Sequence, residues 1–403
     1  MAPTSPLFFF LLVFFPSPSL QERRSRTSSG VLVASSSPSP PSPSASPLVP
    51  ALFVLGDSTV DSGTNNYLGT LARADRPPYG RDFDTHRPTG RFSNGRIIVD
   101  CLAIRLGLPF VPPFLGWSGK IEDMIRGVNY ASAASGILFS SGSDLIQQVS
   151  DTFQQFELSL GEEATADLIS KSVFYVSIGS NDFIHYYLQN TSSAQVLFLP
   201  WEFNQLLVTT MKQALKSLYD KNVRRVVLTG LAPIGCTPHY LWLYASENGE
   251  CVDAINNVVM EFNYAVRYMV HELNHELPNA AFTFCGFQTV TDACCGLGKY
   301  GGFIMCLLPE MACSNASTHV WWDKFHPTDA VNRIIADDRW ASEHASMCYP
   351  KKRIVRSRAD RSLGVTKTCF VRFIGNGSSF FPSCPLPHRS LSFPPPLRCL
   401  LES

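Results

Sequence analysis

The sequence predicts an α/β fold: a doubly wound, mainly parallel five-stranded sheet between helices. Three observations predict it. Five short β-type runs alternate along the chain with helical patterns. Several of those runs are apolar on both faces, as strands covered by helices on either side are. The scale also fits, because 403 residues that are 45% hydrophobic can build the core of one large α/β domain with tails.

The first β-type run is 51–55 (ALFVL), followed by a helical pattern over 96–106. The second run, 128–131 (VNYA), leads to a helix over 145–160, and the third, 173–178 (VFYVSI), to one over 203–219. The fourth run is 225–229 (RVVLT), before a helix over 252–277. The fifth is 281–284 (AFTF), and the last helical pattern spans 328–340 with Pro327 suited to its first turn. No internal repeat is present.

Composition limits the function classes. The 33 basic residues balance the 33 acidic ones and only 16% of the chain is charged, so there is no electrostatic footprint for nucleic acid. Beyond the first residues no apolar run approaches the roughly 20 residues of a membrane span, which excludes a multi-pass membrane protein. Four regions follow. Residues 1–30 hold an apolar stretch over 7–15 (LFFFLLVFF), of secretory-signal length and too short to span a bilayer. An export signal implies a secreted protein; Arg23, Arg24 and Arg26 leave a plastid transit segment as the alternative. Residues 31–50 are a Ser/Pro-rich linker, 51–350 the folded domain, and 351–403 a basic, Pro-containing tail expected to be disordered.

In a doubly wound sheet, ligands bind just past the carboxyl ends of the strands. Gly56-Asp57-Ser58 follows the first run, Ser132-Ala133-Ala134-Ser135-Gly136 the second, and Gly179-Ser180-Asn181-Asp182 the third. These bring to one edge a hydroxyl, a patch of small residues with accessible backbone, and a carboxamide. A base is still needed. Asp323 and His326, in WWDKFHP, lie close enough for the carboxylate to hold one imidazole nitrogen while the other faces outward. Asp57 adjoins the serine but points elsewhere, and reads as structural.

With FVLGDSTVDSGTNNYL, GRFSNGRIIVD, GVNYASAASGIL, VSIGSNDF, LAPIGCTP, ACCGLGKY and WWDKFHPTDAVNRIIA in this order, the chain from about residue 51 to 350 resembles the plant GDSL esterase/lipase family of the SGNH hydrolases. The resemblance implies a flavodoxin-like sandwich and a carboxylic ester hydrolase without a cofactor. Its substrate would be a small-molecule, lipid or polysaccharide ester. It implies Ser58 as nucleophile, His326 as general base, Asp323 as its orienting carboxylate, Asn181 as a side-chain oxyanion donor and Gly136 as the backbone donor. Ala134 stands where many relatives carry glycine. The chemistry agrees: a serine hydroxyl needs a neighbouring base to attack an ester, and the tetrahedral oxyanion needs preorganised donors. No Gly-x-Ser-x-Gly occurs, which disfavours the common α/β-hydrolase elbow. Relatives carry about twenty further residues after the fifth strand, by family resemblance. Their absence after Phe284 removes an expected covering element and leaves a catalytically impaired or noncatalytic member as the alternative function.

His271-Glu272-Leu273-Asn274-His275 fits a zinc-protease pattern. The apolar stripe of that helix, Val259, Phe262, Val266, Met269, Val270, Leu273 and Leu277, places both histidines on the opposite, solvent side at about 100° per residue, so no metal site is expected there. His86, His185, His239 and His319 read as surface or loop histidines. Of twelve cysteines, nine lie in the domain, so at least one there lacks a local partner. Cys236 with Cys251, and Cys294 and Cys295 with Cys306 and Cys313, are local disulfide candidates; a zinc cluster is the alternative for the second group. Asn190, Asn315 and Asn376 are glycan acceptors in a secreted chain.

Overall fold

Four apolar runs form parallel strands: β1 (Leu52–Gly56), β2 (Val173–Ser177), β3 (Arg225–Thr229) and β4 (Ala281–Cys285). The computed structural model describes residues 46–138, 140–189, 193–244, 249–286, 293–340 and 348–349. The expected targeting segment, most of the expected Ser/Pro linker, the 351–403 tail, Asn190, Asn376, Cys369, Cys384 and Cys399 lie outside the described residues. The strands are ordered β1-β2-β3-β4, with Leu52 opposite Val173, Phe174 opposite Val226 and Val226 opposite Phe282.

The fifth strand is not the expected run. It is β5 (Cys348–Tyr349), antiparallel to β4. Residues 128–131 do lie beside β1, where the Val54 N–H donates to the Val128 carbonyl at 3.0 Å and the Tyr130 N–H to the Val54 carbonyl at 2.8 Å. There, only Asn129 forms a bridge to β1. Its side-chain oxygen accepts from the Ala131 N–H at 2.9 Å, a local turn that competes with the ladder.

The helices are α1 (Ile98–Leu106), α2 (Ile121–Met124), α3 (Ser140–Leu160), α4 (Glu162–Lys171) and α5 (Ala194–Leu197). They continue with α6 (Pro200–Asp220), α7 (Pro238–Tyr244), α8 (Asp253–Glu276) and α9 (Asp329–Trp340). Because side chains alternate along a strand, the sheet feeds two cores. Phe53, Phe174, Val226 and Phe282 pack with side chains of α3, α6 and α8, whereas Leu52, Val54, Tyr175 and Val227 pack with α1 and α9. None of the described helices is long and apolar enough to cross a membrane.

The buried face of α8 comprises Ile255, Val259, Phe262, Val266, Met269, Val270 and Leu273. His271 and His275 are exposed, and the Glu272 carboxylate pairs with Lys212 at 3.0 Å. The expected loss of cover after Phe284 does not expose β4. Phe282 and Phe284 stay buried in the core that α8 shares, and a Cys285–Cys348 disulfide ties β4 to β5. Three more disulfides, Cys236–Cys251, Cys294–Cys313 and Cys295–Cys306, use the local candidates. The thiols proposed for a zinc cluster are thus joined to one another, and among the described residues the cysteine left single is Cys101, buried in α1.

Candidate active site

The site is built at the carboxyl ends of β1 and β2. Gly56, the last residue of β1, runs so close to the Ser177 carbonyl of β2 that a side chain could not fit. Asp57 then turns the chain: its N–H donates to the Ser177 carbonyl at 3.0 Å, and its carboxylate accepts from the Thr59 N–H at 3.0 Å and the Thr59 hydroxyl at 2.7 Å. Asp57 therefore serves its own turn, and Ser58 emerges half-buried at its apex. Burial pushes the Asp57 carboxyl up.

Although 268 positions apart in sequence, Ser58 Oγ and His326 Nε2 lie 2.9 Å apart. On the other side of the ring, His326 Nδ1 stands 2.7 Å from Asp323 Oδ1, which also accepts from the Phe325 and His326 N–H groups at 3.0 Å each. Asp323 Oδ2 accepts from the Tyr79 hydroxyl at 2.6 Å. Burial alone would raise Asp323, but the His326 charge and hydrogen bonds from His326 and Tyr79 outweigh it and hold the carboxyl below the usual carboxylate range. The Phe92 ring lies 4.9 Å from the imidazole ring, on the side of the hydrophobic cluster that also holds Tyr79 and Trp322.

The block GRFSNGRIIVD supports this arrangement from behind. Arg91 grips Asp100 with two bonds of 2.7 Å, and Asp100 caps α1 by accepting from the Ile97 N–H at 2.9 Å. Asn94 accepts from the Asp329 N–H at 2.8 Å and Asp329 from the Arg96 N–H at 2.9 Å, which anchors the start of α9 three residues beyond His326.

Ser58 shares the lining of a cavity of about 290 Å³ with Asn181 and the loop after the second run. Asn181 Nδ2 donates one hydrogen to the Ser135 carbonyl at 2.8 Å, which leaves the amide one more to give. A π-helical turn over Asp182–Tyr187 follows directly, closed by the Leu188 N–H on the Phe183 carbonyl at 2.7 Å. Gly136, the expected backbone donor, is not on the cavity wall; Ala133 and Ala134 are. The reason is the turn in which the Ser135 N–H reaches back to the Ser132 carbonyl at 3.1 Å, with Ala134 in the left-handed region at φ 69°. Among the described residues, the N–H groups of Ser58 and Ala134 have no hydrogen-bond acceptor.

Two buried carboxylates hold this loop from either end. Asp61 accepts from the Gly63 and Thr64 N–H groups at 2.7 Å and from Ala133 at 3.3 Å, and Asn65 Oδ1 takes the same Ala133 N–H at 2.9 Å with the Ser132 hydroxyl at 2.6 Å. Asp182 accepts from the Ile137 and Leu138 N–H groups at 2.8 and 2.9 Å. Burial raises both carboxyls, each to about 6, against the lowering effect of the N–H donors. Sequence reasoning missed Tyr79, Asp61, Asn65 and Asp182 as parts of the site. Three of them stood within the quoted motifs, where their polarity among apolar neighbours was a signal; Tyr79 carried none. Asn315 is exposed, with its side chain capping the turn at Ser317.

The matched family model is that of GDSL-like lipase/acylhydrolase, over residues 52–338. Among similar proteins, GDSL esterase/lipase 7 of Arabidopsis thaliana is 40% identical over 334 residues, covering 75% of this chain and 91% of the relative. GDSL esterase/lipase At5g08460 of the same plant is 37% identical over 333 residues, covering 75% and 86%. A family model matched over residues 52–338 and relatives 37–40% identical over most of both chains leave one conclusion: the chain belongs to the GDSL lipase/acylhydrolase family.

Proposed function

We propose that this chain is a serine hydrolase of carboxylic esters that works through an acyl-enzyme. The observation that carries the reading is the 2.9 Å contact between Ser58 Oγ and His326 Nε2, with Asp323 behind the ring. In the first step Ser58 Oγ attacks the ester carbonyl as His326 Nε2 takes its proton. The carbonyl oxygen becomes an oxyanion beside the N–H groups of Ser58 and Ala134 and the second amide hydrogen of Asn181. Ala134, rather than Gly136, is the backbone donor in this reading, because it lines the cavity. Each such donor is worth roughly 3 kcal/mol to the transition state. Collapse expels the alcohol, which takes the proton from His326. A water then gives its proton to His326 and attacks the acyl group, and the returning proton frees Ser58 and the carboxylic acid.

The cavity volume, about 290 Å³, lies at the lower end of small-molecule sites, which favours short acyl groups over long ones. Four disulfides and the apolar stretch at 7–15 support export to an oxidising compartment, where Asn190 and Asn315 are glycan acceptors. The test is Ser58→Ala. It is expected to cut turnover of p-nitrophenyl butyrate by a factor of about 10⁴ or more and to end labelling by a fluorophosphonate, with the melting temperature unchanged. Retention of most of the turnover rejects the assignment.

A further inference from the structure

The cavity wall carries two carboxylates and three cations, and two of the cations lack an ion-pair partner among the described residues. Its carboxylates are Asp57 and Asp323, both fully buried and both engaged, the first by Thr59 and the second by His326 and Tyr79. Its cations are Arg73, Arg76 and Lys324. Arg73 is matched by Asp75 at 3.4 Å. The other two have no carboxylate partner among the described residues. Arg76 gives one hydrogen to the Arg73 carbonyl at 2.9 Å, and its Nε is buried without an acceptor. The Lys324 ammonium sits 5.0 Å over the Phe325 ring, on the wall next to the Asp323–His326 pair.

Lys324 is expensive to keep there uncompensated. Burial lowers its pKa, and the attraction of Asp323 offsets this only in part. His185, on the same wall, is held below its ordinary value by burial and by the Lys324 charge. His239 behind it is pushed down to about 4 by burial, with Lys324 second. Both imidazoles are held toward their neutral forms, and Asp323 is the carboxylate on this wall whose charge acts on Lys324.

We infer that the site takes esters carrying a second, anionic group, a carboxylate or phosphate, which Lys324 and Arg76 receive while Ser58 attacks the ester. This inference rests on the hydrolase reading above and adds the substrate class. The anion can belong to the acyl or to the alcohol part, since both leave the ester carbon within one cavity.

Two matched pairs of esters separate those sources. The half-ester 4-nitrophenyl hydrogen adipate is compared with 4-nitrophenyl heptanoate for an acyl-side charge, and 4-acetoxybenzoate with its methyl ester for an alcohol-side charge. For the pair that fits, the anionic-to-neutral ratio of kcat/KM is expected to fall about tenfold or more in Lys324→Met, which keeps the apolar stem, and to be kept in Lys324→Arg. In the unaltered protein that ratio is expected to fall with added salt. A ratio on both pairs that is the same with Lys324 and with methionine overturns the inference. Calorimetric binding of the adipate half-ester to Ser58→Ala, with and without Lys324→Met, gives a readout that needs no turnover. Weakening by about tenfold supports the inference, and equal affinity, found with 4-acetoxybenzoate as well as with the adipate half-ester, overturns it. Failure to hydrolyse p-nitrophenyl butyrate instead counts against the hydrolase reading and leaves the binding result to decide this one.

Discussion

Tyr79 donates its phenolic hydrogen to Asp323 Oδ2 at 2.6 Å, occupying the carboxylate oxygen that His326 leaves open. Its ring is buried edge-on against Phe92 and Trp322, with centroids 5.9 and 6.2 Å away. Burial, then the Asp323 charge, raises the phenol well above its ordinary value, so it remains a donor throughout the working pH range. Tyr79 is thus a positioning residue, acting on the imidazole through the carboxylate.

Tyr79→Phe removes that donor while keeping the ring. A hydrogen bond to a charged acceptor is worth about 1.5–3 kcal/mol, so kcat is expected to fall about 10- to 100-fold with KM little changed. The Asp323 carboxyl loses one of the bonds that hold it low, so the acid limb of the pH–rate profile should move to higher pH. A profile that is lower but unshifted shows a packing role alone. Steady-state kinetics from pH 4 to 9 decide between them.

Ala134 adopts φ 69°, a conformation that costs a residue with a Cβ about 1–2 kcal/mol. Glycine removes that strain but adds freedom to the unfolded chain. Ala134→Gly is therefore expected to raise stability by up to about 1 kcal/mol. Turnover should survive, because the donor is a backbone N–H. Urea unfolding and p-nitrophenyl butyrate kinetics on the same samples check both halves.

The Asp182 carboxyl is raised to about 6 by burial, against 3.8 for an exposed one. Between those values the folded chain binds its proton more tightly than the unfolded chain does. Its contribution to stability is thus complete below about pH 4 and lost as pH rises through about 6. Asp182→Asn removes this dependence and places an amide against the Ile137 and Leu138 N–H groups. The variant is expected to be less stable than the unaltered protein, by a margin that widens toward acid at up to about 1.4 kcal/mol per pH unit between pH 6 and 4. Denaturant midpoints at four pH values measure it, and a constant margin refutes the assignment.

Local pattern carried much of this protein. The runs that became β1 to β4 alternate side chains between two cores, and that period is written in residues two apart. The stripe on α8 is equally local, and it alone places His271 and His275 on the exposed side, where the fold has them. The motif order pointed to Ser58, His326, Asp323 and Asn181 because each stands beside the end of a strand or the start of a helix that a neighbouring pattern marks.

What the fold alone decided are relations between residues far apart in the chain. Tyr79 meets Asp323 across 244 positions. Cys348 reaches Cys285 across 63, placing a fifth strand on β4, at the edge opposite the β1 edge where 128–131 lies. Ala134 rather than Gly136 faces the cavity because Asp61, Asn65 and Asp182 hold the two ends of one loop. Lys324 comes to the cavity wall with no ion-pair partner among the described residues, next to an Asp323 carboxylate already bonded to His326 and Tyr79. Hydrophobic period is a property of adjacent residues and can be read along a line, whereas hydrogen-bond partnership and burial of charge depend on which distant segments close on one another.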